Sequence, residues 1–211
     1  MKIVPVSEAA GRADEVAKVL ADGGLACFPM RGSYRLAADV RSPEAVDRLM
    51  HSKRRAKNHP SLVLVASFAL ASSVVAGTAW RTTRRLGERL WPGPLTMVLP
   101  ASDALPARVR KVLTKATGLV GVQVPEDPLA KAIITRFGGP LLLSSANLEQ
   151  KPGASSAAAV QARLGRAIDI WVDAGDIQPG PPSTIVEVTD SSWTVIREGA
   201  VPRAAIERAT S

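Results

Sequence analysis

Residues 51–60 read HSKRRAKNHP and lie between a predicted helix and an intensely apolar segment. They bring together Lys53, Arg54, Arg55 and Lys57 with two histidines and one asparagine. Because phosphate oxygens need several N–H donors at once, such a cluster at a helix-to-strand junction is suited to binding a polyanion such as a nucleotide triphosphate. A solvated basic loop is the alternative interpretation that the cluster alone leaves open.

The segments on both sides of this basic cluster indicate how the chain folds. Ser42 and Pro43 begin a predicted helix before it, and residues 61–66, SLVLVA, form a predicted buried strand after it. Residues 61–80 carry no charged side chain and are long enough to span a bilayer. Their β-branched first part and Ala/Ser-rich second part instead favour a buried strand followed by a helix, so we expect no membrane-spanning segment.

Strands and helices alternate along the rest of the chain. The pattern predicts further strands over residues 2–6, 25–29, 95–99, 121–124, 168–172, 183–188 and 194–199, with another from residue 141. It predicts further helices over residues 7–20, 80–90, 106–114, 128–137, 156–164 and 201–210. Residues 30–39, MRGSYRLAAD, are predicted as a loop lining a cleft. We therefore expect an α/β protein with one domain over residues 1–211, in which helices flank a twisted mixed sheet with an open basic cleft.

The amino-acid composition indicates which binding partners and which cellular compartment to expect. The 211 residues include 27 Lys and Arg against 19 Asp and Glu, a net charge of +8 that favours an anionic partner such as a nucleotide or RNA. The single Cys27 excludes an intramolecular disulfide, and acidic residues soon follow the short apolar N-terminus, which does not fit a secretory signal. We therefore expect a cytoplasmic protein. With only two histidines and one cysteine, a His/Cys zinc site is disfavoured, and we expect no protein-bound metal.

Three polar clusters accompany apolar strands, and we expect them to converge on one crevice. They lie at residues 53–58, 144–147 and 182–184, and we interpret each as following an apolar strand. Hydroxyl and amide donors beside cations would form a phosphate cradle there. The common nucleotide-binding loops G-x-x-x-x-G-K-[ST] and G-x-G-x-x-G are absent, and so is the G-x-S-x-G elbow of serine hydrolases.

A set of sequence motifs, taken in chain order, covers nearly the whole chain. They are the strand into Pro29 with Tyr34, the Lys53-x-Arg55 pair, WPGPLT, GVQVPEDP, SSAN, PSTIVEV and IREGA. Over residues 23–200 this ordered set resembles the YrdC/Sua5 (TsaC) family. The resemblance implies a nucleotidyltransferase, an L-threonylcarbamoyladenylate synthase that makes threonylcarbamoyl-AMP and pyrophosphate from L-threonine, bicarbonate and ATP. The product would feed the threonylcarbamoyl modification of tRNA adenosine 37.

The resemblance also implies roles for particular residues. Catalysis would rest on Lys53 and Arg55, whose charges offset the charge that builds up on the phosphates as pyrophosphate leaves. The nucleotide-binding residues would be Lys53, Arg55, Ser145, Asn147, Ser183 and Arg197. The substrate pocket would be formed by Met30, Gly32, Tyr34 and Gln123. Mg²⁺ is expected with the triphosphate, and tRNA or another RNA is an open further partner.

Several residues depart from the family pattern. The family's P-T-x-T-x-Y-G-L reads P-M-R-G-S-Y-R-L here, so Met30 and Gly32 replace two threonines and Arg35 replaces a glycine. In G-V-R-V-P, Gln123 replaces a permanent cation with a side chain that hydrogen-bonds without neutralising charge. Arg31 and Arg35 are candidates for replacing the lost positive charge. The alternative function is a divergent paralog that binds nucleotide or RNA without threonine-dependent turnover, or adenylates a different carbamate.

Overall fold

Ten strands of the described chain form one sheet. The structure is a computed structural model and describes residues 1–53, 61–76, 80–114, 117–146 and 155–211. The strands are β1 (Lys2–Pro5), β2 (Ala26–Met30), β3 (Ser33–Asp39), β4 (Leu62–Leu64), β5 (Leu95–Pro100), β6 (Leu119–Gln123), β7 (Leu141–Ser145), β8 (Ile170–Asp173), β9 (Thr184–Val188) and β10 (Trp193–Arg197). Their order across the sheet is β1-β8-β2-β3-β7-β4-β6-β5-β9-β10.

The sheet is mixed. Parallel ladders join β1 to β8, β8 to β2, β4 to β6 and β5 to β9. Antiparallel ladders join β2 to β3, β3 to β7, β7 to β4, β6 to β5 and β9 to β10. The predicted α/β class with a mixed sheet is confirmed.

Helices occupy most of the connections between these strands. They are α1 (Val6–Ala9), α2 (Ala13–Ala21), α3 (Pro43–Lys53), α4 (Phe68–Ala71), α5 (Trp80–Leu90), α6 (Ala107–Thr114), α7 (Pro128–Phe137), α8 (Ala157–Leu164) and α9 (Arg203–Thr210). The helix predicted over residues 7–20 is divided in two at Gly11, which lies in a turn between α1 and α2. Among the described helices, none combines the length and the apolar character that a bilayer crossing requires.

The prediction of a loop over residues 30–39 is wrong, because residues 33–39 form β3. Met30 and Ser33 pair across a two-residue turn made of Arg31 and Gly32. These two residues have φ values of 48° and 72°, the left-handed backbone that two-residue hairpin turns of the I′ type require. The turn joins β2 to β3 directly and thereby places Arg35 inside the sheet, where β7 flanks it on the other side.

The helix predicted in the second part of residues 61–80 is short. It ends at Ala71, and turns follow before Val75 forms an isolated bridge to Ala101. The hydroxyls of Ser72 and Ser73 donate to carbonyls three residues back, which competes with helix continuation. The β-branched Val74 and Val75 that come next favour an extended backbone. This segment is therefore a strand and a single helical turn, with residues 77–79 outside the described part.

Helices pack on both faces of the sheet. One face carries the larger apolar core, where Tyr34 and Leu36 of β3 share a cluster with buried residues of α3, α6, α8 and α9. On the other face, Phe28 of β2 and Leu143 of β7 pack with α2 and α7. This second cluster reaches β4 only at Leu64 and its partly buried neighbour Leu62. The same face borders a cavity, which extends from the β2–β3 hairpin to β10.

Candidate nucleotide and substrate cavity

A cavity of about 500 Å³ lies on the second face of the sheet. Its lining comes from the β2–β3 hairpin, from β4, β5, β6, β9 and β10, and from the residues just before β4 and β9. The lining residues are Met30, Arg35, Ser61, Leu62, Thr96, Val98, Gly121, Ser183, Ile185, Ile196 and Arg197. Apolar side chains and cations therefore border one space, as the binding of an amphiphilic anion requires.

Strand register explains why these residues meet. Gly121 is the direct partner of both Leu62 and Val98, and direct partners project from the same face of a sheet. In the same way Ile185 lies opposite Thr96 and opposite Arg197. Gly121 contributes no side chain, and a Cβ there would lie 3.1 Å from Cγ2 of Thr96 and 3.2 Å from the carbonyl oxygen of Ser61. Glycine at this position therefore allows Thr96 and the backbone at Ser61 to approach closely.

Three arginines make one end of the cavity cationic. Burial, followed by the neighbouring charges of Arg197 and Arg31, lowers the pKa of Arg35 to about 10, which still leaves it protonated at neutral pH. Arg197 donates from Nη2 to the carbonyl oxygen of Ser183 at 2.8 Å. Arg31 forms an ion pair with Glu126 at the rim. An anion entering here would relieve the repulsion among the guanidinium groups.

Gln123 lies on the cavity side of β6, where hydrogen bonds hold it in place. Its Nε2 donates to the carbonyl oxygen of Gly93 at 2.9 Å. Its Oε1 accepts from Oγ1 of Thr96 at 3.1 Å and from Oγ of Ser183 at 3.3 Å. Gln123 is 1% exposed, so its side chain orients two residues of the cavity wall instead of lining the cavity itself.

Tyr34, which the resemblance assigns to the substrate pocket, faces the opposite side of the sheet. It neighbours Arg35 on β3, and successive strand residues point to opposite faces. Its hydroxyl donates to the carbonyl oxygen of Gly175 at 2.8 Å and accepts from the amide of Ala174 at 2.9 Å. Its ring packs on Trp171 with centroids 4.7 Å apart. The structure therefore gives Tyr34 contacts within the core and does not bring it to the cavity.

Removing the Tyr34 hydroxyl should weaken the fold in a pH-dependent way. Tyr34→Phe leaves the partly buried amide of Ala174 without its acceptor, and we expect a loss of about 0.5–1.5 kcal/mol at neutral pH. Burial raises the pKa of Tyr34 to about 12 from 10, so the unfolded chain ionises first. The stability that the neutral phenol contributes is thus complete below pH 10 and is lost as the pH rises to 12.

Urea unfolding at pH 8 and pH 11.5 tests this prediction, and the difference between wild type and Tyr34→Phe should shrink at the higher pH. Tyr34 is the single tyrosine of the chain, so tyrosinate absorbance reports its ionisation directly. A folded protein whose tyrosine titrates near pH 10 would contradict the described burial.

The other predicted site residues are placed as follows. Met30, Ser183 and Arg197 line the cavity, and Ser145 lies opposite Arg35 in the β3–β7 ladder and so shares its face. Gly32 forms the hairpin turn outside the lining. Lys53 ends α3, but its side chain, like all of Arg55 and Asn147, lies outside the described residues.

The expected convergence of three polar clusters is met only in part. Most of residues 53–58 and the end of residues 144–147 lie outside the described part. Ser183 does reach the cavity, but it directly precedes β9 and does not follow a strand. The reason is that β8 ends at Asp173 and a long connection follows it. Sequence patterns did not indicate Ser61, Thr96 or Ile196 as cavity residues. Thr96 faces the cavity through its pairing with Ile185, Ser61 directly precedes β4, and Ile196 lies where the β9–β10 register shifts.

The chain matches a known protein family over most of its length. The family model for Sua5, YciO and YrdC proteins, described as "Telomere recombination", matches residues 18–199. The chain belongs to this family.

Among its relatives are the threonylcarbamoyl-AMP synthases of Pyrococcus abyssi and Bacillus subtilis. They are 32% identical over 89% of this chain and 31% identical over 92% of it, respectively. The matches cover 54% and 55% of those proteins, so the chain spans about half the length of these curated relatives. The crystal structure of P. abyssi Sua5 complexed with L-threonine is 28% identical, with a TM-score of 0.84 over 99% of this chain and 60% of that one.

Proposed function

We propose that this chain is an L-threonylcarbamoyladenylate synthase, a nucleotidyltransferase that forms threonylcarbamoyl-AMP and pyrophosphate from L-threonine, bicarbonate and ATP. The observation that carries the proposal is the cavity, with an apolar wall and a cationic end, that is lined from the β2–β3 hairpin and from β4, β5, β6, β9 and β10. Family membership and the P. abyssi structure complexed with L-threonine support it. The product would serve the modification of tRNA adenosine 37.

The reaction needs positioning and charge stabilisation more than a protein nucleophile. The amine of threonine and bicarbonate give a carbamate and water, and a carbamate oxygen then forms a bond to the α-phosphorus of ATP. The bond from that phosphorus to the bridging oxygen breaks, and pyrophosphate leaves with the electron pair. Lys53 and Arg55, as the resemblance implies, would offset the charge on the leaving group, and Ser183 and Arg197 at the cavity would lie close to the nucleotide.

ATP would enter as its magnesium complex, so Mg²⁺ belongs to the substrate in this proposal. Across the described ranges no three His, Cys, Asp or Glu side chains form a group that could hold a metal ion. Ser145 shares the sheet face of Arg35 and would approach the phosphates from β7, with Asn147 beyond it.

Pyrophosphate release tests the proposal directly. We expect release from ATP and bicarbonate when L-threonine is present and only background release when it is omitted. A second series replaces threonine with other amines. Release only with another amine would indicate a synthase for a different carbamate. Measurable ATP or RNA binding without release with any amine would overturn the synthase and favour a binding protein.

A further inference from the structure

Unpaired buried polar atoms concentrate at the cavity. Within the described ranges, three buried side-chain nitrogen or oxygen atoms lack a hydrogen-bond partner, and they are Nε of Arg31, Nε of Arg35 and Oγ of Ser61. Arg35 and Ser61 line the cavity, and Arg31 follows the lining residue Met30. A buried polar atom without a partner is costly, so its persistence at a cavity points to a ligand that supplies the missing partner.

Arg35 differs from the other two arginines in having no compensating partner among the described residues. Arg31 pairs with Glu126, and Arg197 donates to a backbone carbonyl. Arg35 takes part in no ion pair within that part of the chain, although the neighbouring charges already oppose its own. The Nε and Nη groups of a guanidinium form a planar fork that matches two oxygens of one acid group.

The surroundings of Arg35 suit a carboxylate better than a triphosphate. The lining is mainly apolar, with Met30, Leu62, Val98, Ile185 and Ile196. The hydroxyls of Thr96 and Ser183 donate to Gln123, so they are not donors to a ligand in this arrangement. A triphosphate has many oxygens to satisfy, whereas two guanidinium groups and one free hydroxyl match a single carboxylate beside an apolar group.

We propose that Arg35, assisted by Arg197 and by the hydroxyl of Ser61, binds the carboxylate of the amino-acid substrate, whose aliphatic part lies against Met30 and Leu62. This inference rests on the proposed function and adds a substrate-binding residue on β3. The proposal also explains why Gln123 can stand where the family pattern has an arginine. Arg35 supplies the missing cation from the same face of the sheet. A phosphate group would present similar oxygen atoms to Arg35 and is the other candidate ligand.

Calorimetric binding without turnover separates these sources. L-threonine, 1-amino-2-propanol, which lacks the carboxylate, and inorganic pyrophosphate are titrated into wild type, Arg35→Gln and Arg35→Lys. The control is Arg163→Gln, which removes an exposed guanidinium from α8, away from the cavity. We expect threonine affinity to fall about tenfold or more in Arg35→Gln, since a charge-assisted pair is lost. The amino alcohol, pyrophosphate and the control should change less than about twofold.

Other outcomes have distinct meanings. Unchanged threonine affinity in Arg35→Gln would overturn the inference, and so would a loss confined to pyrophosphate, which would assign Arg35 to phosphate. If wild type binds no threonine, other L-amino acids are titrated, and the absence of any carboxylate that depends on Arg35 also overturns it. If carboxylate binding depends on Arg35 but the protein releases no pyrophosphate, the inference about Arg35 stands and the proposed synthase function is wrong. Thermal unfolding of each variant confirms that it is folded.

Discussion

Gly32→Ala is expected to destabilise the protein by about 2–5 kcal/mol, because two costs combine at this turn. Gly32 has φ +72°, a conformation that L side chains rarely adopt. A Cβ there would also lie 2.2 Å from the amide nitrogen of Gly180 and 2.9 Å from the carbonyl oxygen of Gln178. Since both are backbone atoms, the 178–181 segment would have to move away from the hairpin.

Gly23→Ala is the matched control for this substitution. Gly23 has φ +80°, but a Cβ there would meet no atom within 4 Å. It should therefore show only the backbone cost of about 1 kcal/mol. Urea unfolding curves compare the two variants, and equal losses would mean that the 178–181 segment does not pack on the hairpin as described.

This close approach also changes how the departure at position 32 is interpreted. The family pattern has threonine there, and a β-branched side chain would need still more room than alanine. The hairpin and the 178–181 segment have room only for glycine in their present positions. The loss of that hydroxyl is therefore coupled to a different packing of the cavity rim, where Arg31 also reaches the carbonyl oxygen of Pro181 at 3.4 Å.

Local signals predicted the elements that depend on local chemistry. Helix α7 begins and ends where the sequence predicts, because Asp127 accepts from the amide of Ala130 at its start and Gly138 adopts φ 69° at its end. The sequence signal for the β2–β3 hairpin is weak, because its turn pairs Gly32 with Arg31, and arginine is not among the residues that usually adopt the left-handed backbone of such turns. The polar residues between positions 30 and 39 also obscure the alternation of Tyr34, Leu36 and Ala38 that indicates a strand.

The site was less predictable because it depends on strand register. Met30, Ser183 and Arg197 were selected by motif, and they line the cavity with Arg35. Thr96 joins them only because β5 pairs with β9, a strand far along the chain. No pattern within either segment specifies that pairing, and a shift by one residue would turn each side chain to the other face.

Thr184→Val is expected to cost about 2–5 kcal/mol, because one buried hydroxyl holds the chain segment that follows β10. Thr184 is fully buried. Its Oγ1 donates to the carbonyl oxygen of Val201 at 2.6 Å and accepts from the amides of Gly199 at 2.8 Å and Val201 at 3.0 Å. Valine keeps the shape of the side chain but leaves both amides and the carbonyl without this partner.

Thr184→Ser is the control that distinguishes the contribution of the hydroxyl to stability from that of the methyl group. Serine retains the three hydrogen bonds and loses one buried methyl, so its cost should be about 1 kcal/mol. The effect should extend to the cavity, since Gly199 packs against Pro182 and Ser183 so closely that a Cβ would lie 2.2 Å from the carbonyl oxygen of Pro182. Under the proposed function Thr184→Val should therefore raise KM for ATP, because Ser183 and Arg197 lose their fixed spacing, whereas Thr184→Ser should not. Equal stabilities of the valine and serine variants in urea unfolding would show that this hydroxyl does not hold the 199–201 segment.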